Sequence, residues 1–153
     1  MGSSLAKKAW PAGLLLVFFA FIALAYGSRK DTFLLNKNVR LVFLRIVKYK
    51  ELSLHRGLIY RLQFDRDDYR VTVRLPGPDQ AWRDVAVHPY EDSVAPETPG
   101  FIITIRGGKL VSYHFEDQRR ILRSSVILYF STVKHPSHRR GIMFFESGES
   151  RVL

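Results

Sequence analysis

The first 56 residues hold two kinds of hydrophobic pattern in succession. Residues 1–11 form a basic tail with Lys7 and Lys8, and residues 12–27 are apolar without a single charged side chain. A segment that is apolar all round has no face suited to water. Its length lies between the roughly 20 residues that span a bilayer and the about 10 to 14 of a signal-peptide core. We therefore predict a transmembrane or signal segment at 12–27.

Three interpretations of this segment stay open. It is an uncleaved membrane anchor, a signal peptide cleaved at the A-x-A pattern Ala23-Leu24-Ala25, or a buried core helix. The sequence gives two conflicting indications of its orientation in a membrane. The many basic residues after it favour a cytoplasmic C-terminal domain, whereas a basic tail before an apolar core is typical of an exported chain. We expect a single-pass protein of a bacterial inner membrane with a periplasmic C-terminal domain.

Residues 28–56 have a helical period and no proline. Gly57 is well suited to end this helix as a C-cap. Apolar residues recur in steps of four and three, which predicts an amphipathic helix continuous with the apolar segment. The stripe is too wide for a solvent-exposed helix, so we expect it to pack on the rest of the chain and against neighbouring copies. This candidate assembly helix is defined by Leu35, Val39, Val42, Ile46 and Tyr49.

From residue 57 to 153 the period changes to two, which is typical of strands with one buried face. A hairpin is predicted around the acidic turn 65–68, and another around Gly107-Gly108, a dipeptide that favours a two-residue turn. Further strands are expected at 82–87, 121–133 and 142–145, with a turn at 116–120 and loops at 88–99 and 134–140. The predicted fold class is α+β: a long N-terminal helix packed on a small antiparallel β-sheet domain.

The composition and the absence of known motifs exclude several kinds of functional site. The chain has 153 residues, 46% of them hydrophobic, and no cysteine. It therefore has no disulfide scaffold and no cysteine-ligated metal site. No catalytic constellation or phosphate-binding loop is present, so we predict a non-enzymatic protein without cofactor or metal. The one close histidine pair, His135 and His138, has no cysteine or carboxylate beside it and is interpreted as a solvated loop.

The formal net charge is +10, and removing residues 1–30, which carry four basic and no acidic residues, leaves +6. Such a surface favours anionic partners, including DNA. Two basic clusters are candidates for a polyanion-binding site, although an ordinary solvated basic surface explains them equally well. These clusters are Arg119, Arg120 and Arg123, and Lys134, Arg139 and Arg140.

The run LVFLRIVKYKELSLHRGLIYRLQFDRDDYRV, which begins at Leu41, has a helix ending in Arg56-Gly57, then a strand of the form YRLxFD, then a Tyr-x-Val strand. The late phrase GIMFFESG, at 141–148, adds a strand and a glycine turn. Over about half of the chain these features resemble minor pseudopilins of the GspH/FimT type. The resemblance implies a helix half in the membrane and half on a β domain. It also implies assembly with other pilin-like subunits or secretion components of type II secretion or type IV pilus systems.

The chain departs from that family at the prepilin-peptidase site. The family has a glycine followed by Phe or Met, with a glutamate at the fifth mature position. Here Gly13 precedes Leu14, and the fifth position is Phe18. The leading hypothesis is a membrane-anchored pseudopilin-like subunit. The alternatives are a DNA- or polyanion-binding module and an unrelated single-pass protein with a periplasmic β domain.

Overall fold

The computed structural model describes residues 4–75, 81–91, 93–115, 118–121 and 124–153, with side chains except at 4–14, 115, 118, 119 and 121. One helix, α1, runs without a break over Ser4–Arg56. Gly57 ends it with a φ of +64°, in the left-handed region that glycine adopts at low cost. The Ser53 hydroxyl, one turn before the end, donates to the carbonyl of Leu58 at 2.7 Å. The predicted single long helix and its C-cap are confirmed.

All the described strands pair antiparallel in two sheets. The six-stranded sheet has the order β3-β2-β1-β5-β6-β7, and the four-stranded sheet has the order β10-β9-β8-β4. The strands are β1 (Ile59–Phe64), β2 (Asp68–Arg74), β3 (Trp82–Pro89), β4 (Val94–Pro96), β5 (Phe101–Arg106), β6 (Lys109–Phe115), β7 (Gln118–Ile121), β8 (Val126–Thr132), β9 (Arg139–Phe144) and β10 (Ser150–Val152). The α+β prediction is correct.

The hydrophobic core lies between one face of α1 and the inner faces of both sheets. Alternate residues of β1 and β2 point into it, as the period of two predicts; in β1 these are Tyr60, Leu62 and Phe64. Leu128 and Phe144 from the four-stranded sheet belong to the same cluster. The helix is therefore a structural layer of the domain along the half that begins near Asp31.

The Gly107-Gly108 turn joins β5 and β6 as predicted. Both glycines have positive φ, +58° and +78°, and Arg106 faces Lys109 across the turn. A type I′ turn requires positive φ at both central positions. The acidic turn before Asp68 is also present, with the amide of Asp65 donating to the Asp68 carbonyl at 2.9 Å.

Four local predictions were wrong, all in the second half of the chain. The expected strand 121–133 is two strands: β7 pairs with β6, whereas β8 pairs with β9 and β4 in the other sheet. The chain changes sheets near Ser124-Ser125. The predicted turn 116–120 contains most of β7, the predicted loop 88–99 contains β4, and β9 begins at Arg139, so two arginines of the predicted basic loop lie on a strand. β4 has only three residues, and β7 and the start of β9 are rich in arginine, so their pairing partners and not a local pattern reveal them.

Candidate assembly surface

The helix falls into two parts according to what surrounds it. From Leu15 to Tyr26 every described side chain is exposed, including Leu16 at 72% and Phe21 at 73%. From Asp31 onward, α1 has a buried face. The first part therefore carries apolar side chains that nothing within the described chain covers.

The predicted stripe faces the chain's own β domain. Leu35, Val39, Val42, Ile46 and Tyr49 are each at most 5% exposed and belong to the core cluster. Burying such side chains stabilises the domain by about 1.5–3 kcal/mol each. Within the chain, their contacts hold the helix on the two sheets.

A second apolar stripe lies on the opposite side of the helix. Phe33 is 66% exposed and Leu44 is 52% exposed. With 3.6 residues per turn, Leu44 lies almost directly above Phe33, and Tyr26 lies almost directly below it. Leu41 borders this stripe and is 38% exposed. The outer stripe, defined by Tyr26, Phe33, Leu41 and Leu44, lies on the same face as the end of the apolar part, with Lys37 and Arg40 between Phe33 and Leu44. It was not predicted from the sequence, because the regular buried stripe dominates the helical pattern.

Polar contacts also hold the helix against the domain. The Arg45 guanidinium donates to the Tyr69 hydroxyl at 2.5 Å, and the Lys50 ammonium donates to the Gly148 carbonyl at 2.9 Å. Asn38 is 4% exposed, and its side-chain oxygen accepts from the amide of Glu91 at 2.9 Å. No sequence pattern predicted these contacts. The one signal was Asn38, a polar residue on the apolar face of the helix.

Burial shifts the pKa values of two of these groups, Tyr69 and Lys50. Burial raises the pKa of the Tyr69 phenol above its ordinary value, and the hydrogen bond from Arg45 opposes this only in part. Burial lowers the pKa of the Lys50 ammonium, against the attraction of Glu149. Because its pKa is raised, Tyr69 stays a neutral phenol near neutral pH.

A groove opens where α1 leaves the domain, with a volume of about 990 Å³. The helix contributes Gly27 and Leu34, and the domain contributes Tyr90 and Lys134. Tyr90 is 8% exposed, and among the described residues its hydroxyl has no hydrogen-bond partner. The groove is the concave junction between the free and the packed parts of the helix.

The two predicted basic clusters lie on different sheets. Arg119 and Arg120 are on β7, at one edge of the six-stranded sheet, whereas Arg123 lies outside the described residues. Lys134, Arg139 and Arg140 lie on the β8–β9 connection and on β9 of the four-stranded sheet. The second cluster contacts neighbouring groups: Arg140 donates to Asn36 at 2.9 Å, and the Arg139 guanidinium lies 4.9 Å from the centre of the Tyr129 ring.

The histidine pair, which was predicted to lie in a solvated loop, contacts the helix. His135 lies 3.5 Å from the carboxylate of Asp31, which is 7% exposed, and the rings of His135 and His138 are 5.5 Å apart. Even so, across the described part of the chain, no three histidine, cysteine, aspartate or glutamate side chains are arranged to hold a metal ion.

Among the residues that the structure describes, no helix is both long enough and apolar enough to cross a bilayer.

The architecture of a long N-terminal helix on a two-sheet antiparallel domain is a pseudopilin-like fold. The chain is similar to the minor pseudopilin EpsH from the type 2 secretion system of Vibrio cholerae. The TM-score is 0.55 with 12% sequence identity, over 78% of this chain and 95% of that chain. No protein-family model and no curated protein matches the sequence.

Proposed function

We propose that this chain is a non-enzymatic, membrane-anchored pseudopilin-like subunit of a secretion or pilus assembly. It is anchored in the bacterial inner membrane by the apolar part of α1, with its β domain in the periplasm. The other pilin-like subunits of that assembly are its partners. The observation that carries the proposal is the run of apolar side chains from Leu15 to Tyr26, exposed on every side of the helix.

The two faces of α1 have different roles in this proposal. The stripe that includes Val39 and Ile46 sets the position of the helix on its own domain, because these side chains are buried there. The outer stripe then makes the contacts between subunits, because Phe33 and Leu44 remain exposed after the domain has folded. Burying large apolar side chains between helices supplies the driving force outside the bilayer.

Cross-linking in cells that contain the assembly tests this division. A photo-reactive phenylalanine analogue replaces Leu44 in the outer stripe, and the matched control replaces Glu97, which is exposed on the connection between β4 and β5. We expect the Leu44 position to give adducts with other pilin-like subunits, identified by mass spectrometry, and the Glu97 position to give none. Equal yields from both positions would contradict a specific role for the outer stripe.

Membrane fractionation and sequencing of the mature N-terminus test the anchor itself. We expect the chain in the membrane fraction with residues 15–26 retained. An intact N-terminus and a start at Leu14 both preserve the apolar helix. A water-soluble product that starts at Tyr26 has lost it, and that result would rule out the anchored subunit.

We propose DNA or polyanion binding as the second candidate function. The observation in its favour is that Lys134, Arg139 and Arg140 form no ion pair among the described residues, so their charge is not neutralised within the domain. Lysine and arginine at such positions contact phosphates without reading the bases.

A further inference from the structure

The outer face of the six-stranded sheet, on the side away from α1, holds a cleft of about 310 Å³. Cross-strand pairing builds it: Ile59 faces Arg74, Arg74 faces Trp82, and Arg61 faces Thr104. Arg106 lies at the end of β5, beside this group. The cleft is lined by Ile59, Arg61, Arg74, Trp82, Thr104, Arg106 and Val111.

Three guanidinium groups dominate the charge of this cleft, and its described lining contains no carboxylate. The Arg61 guanidinium is held over the Trp82 ring, 4.0 Å from its centre. Neither Arg74 nor Arg106 forms an ion pair among the described residues. Cations gathered in one cleft repel each other, and guanidinium forks bind oxyanions with two parallel hydrogen bonds. The cleft is therefore suited to a ligand with carboxylate or phosphate oxygens.

The surroundings of the cleft favour a protein ligand. Ile59 and Val111 form apolar walls beside the arginines. On the same face, Val87 pairs with Arg70 and is 52% exposed. Tryptophan and arginine are enriched at the energetic centre of protein interfaces. Nucleic-acid sites instead follow the phosphate chain with an extended basic track.

We propose that this cleft binds an acidic, partly apolar segment of a partner protein. Carboxylates of the segment pair with Arg74 and Arg106, and its apolar side chains pack on Trp82 and Val87. The site lies on the opposite face of the sheet from α1, so this proposal stands independently of the proposed assembly role of the helix.

A fluorescence experiment on the full chain in detergent micelles tests the cleft. The chain has two tryptophans, so Trp10→Phe leaves Trp82 as the only indole reporter. The probe is a labelled synthetic peptide of alternating glutamate and leucine, and the control peptide has glutamine in place of glutamate. We expect the acidic peptide to bind and to change Trp82 emission. The double variant Arg74→Gln/Arg106→Gln should bind it at least about tenfold more weakly, because two charge-assisted pairs are lost.

Arg83→Gln is the matched control variant, because Arg83 is exposed on β3 and does not line the cleft. It should bind as the parent does, and circular dichroism should show that all variants are folded. Equal affinity of parent and double variant, equal affinity for both peptides, or no change in Trp82 emission would each overturn the proposal. So would duplex DNA that binds in an Arg74- and Arg106-dependent way while the acidic peptide does not, because the cleft would then be a nucleic-acid site.

Discussion

The guanidinium of Arg45 on α1 donates a hydrogen bond to the hydroxyl of Tyr69 on β2. The same guanidinium carbon lies 5.7 Å from the centre of the Tyr69 ring, which is 1% exposed. The Arg45 side chain thus contacts both the hydroxyl and the aromatic ring of Tyr69. Arg45 completes the hydrogen bonding of a phenol that burial would otherwise leave unsatisfied.

Removing this contact should weaken the domain measurably. In Tyr69→Phe the ring remains and the hydroxyl is lost, so one hydrogen bond to a charged group disappears and Arg45 keeps its access to water. We expect a loss of about 1–2 kcal/mol in the free energy of unfolding. Chemical denaturation of the full chain in detergent micelles measures it, and a variant as stable as the parent would show that the bond contributes nothing.

Tyr90→Phe should have the opposite effect at neutral pH. The Tyr90 hydroxyl is buried and has no partner among the described residues, so its removal relieves a desolvation cost. We expect stability equal to or above that of the parent at pH 7. A loss of more than about 1 kcal/mol would indicate that the hydroxyl has a partner in the folded protein.

The same tyrosine should make the domain sensitive to alkali. Burial raises the pKa of Tyr90 above its ordinary value of 10.0. The unfolded chain therefore releases this proton first, so stability is fully present below about pH 10 and falls as the pH rises further. Denaturation measured from pH 7 to 11 should show a shallower alkaline decline in Tyr90→Phe than in the parent. An identical decline would mean that Tyr90 titrates normally in the folded state.

Two substitutions by aspartate, on opposite faces of α1, distinguish the packing role of the helix from its proposed role in assembly. Val39→Asp places a charge where the parent side chain is 1% exposed, and it should cost at least about 3 kcal/mol because the charge has no partner. Leu44→Asp lies in the outer stripe and should change stability by no more than about 0.5 kcal/mol. It should also abolish cross-linking to other subunits from a photo-reactive analogue placed at Phe33, which belongs to the same stripe. If Val39→Asp folds normally and keeps its partners, the buried stripe is not a structural contact.

The Gly107-Gly108 turn should tolerate no β-branched residue. A Cβ at Gly107 would meet no atom within 4 Å, so the expected cost of Gly107→Val comes from its φ of +58° and not from a clash. Thermal unfolding should show a far larger loss than for Lys109→Ala at the adjacent strand position. Equal shifts in melting temperature would indicate a different turn conformation.

The polyanion hypothesis predicts a strong dependence of duplex DNA binding on salt. The logarithm of the binding constant should fall with the logarithm of salt concentration by about 0.9 for each phosphate contacted. Arg139→Ala/Arg140→Ala should flatten this slope by roughly one to two units. Lys48→Ala, at an exposed helix position away from both clusters, is the control. No binding by the parent at low salt, or an unchanged slope, would leave the clusters as ordinary surface.

Local sequence pattern was sufficient for the elements whose burial is regular. The steps of four and three from Leu35 to Tyr49 predicted the helix, and the alternation around Leu62 and Val71 predicted the first hairpin. Gly57 marked the end of the helix and Gly107-Gly108 marked the turn between β5 and β6, because only glycine adopts positive φ at little cost. These signals lie within a few residues of the structure they specify, so the α+β class could be read from them.

Tertiary structure alone decided which surfaces are free. The buried and the outer stripes of α1 are both apolar, and only the position of the sheets shows that Val39 is covered and Leu44 is not. Likewise, β7 and β8 are consecutive in sequence, yet hydrogen bonding assigns them to different sheets. The cleft around Arg74 unites residues from five strands that are up to 52 positions apart in the sequence, Ile59 and Val111 being the extremes. Such neighbours are created by strand pairing between distant segments, which leaves no local pattern in the sequence.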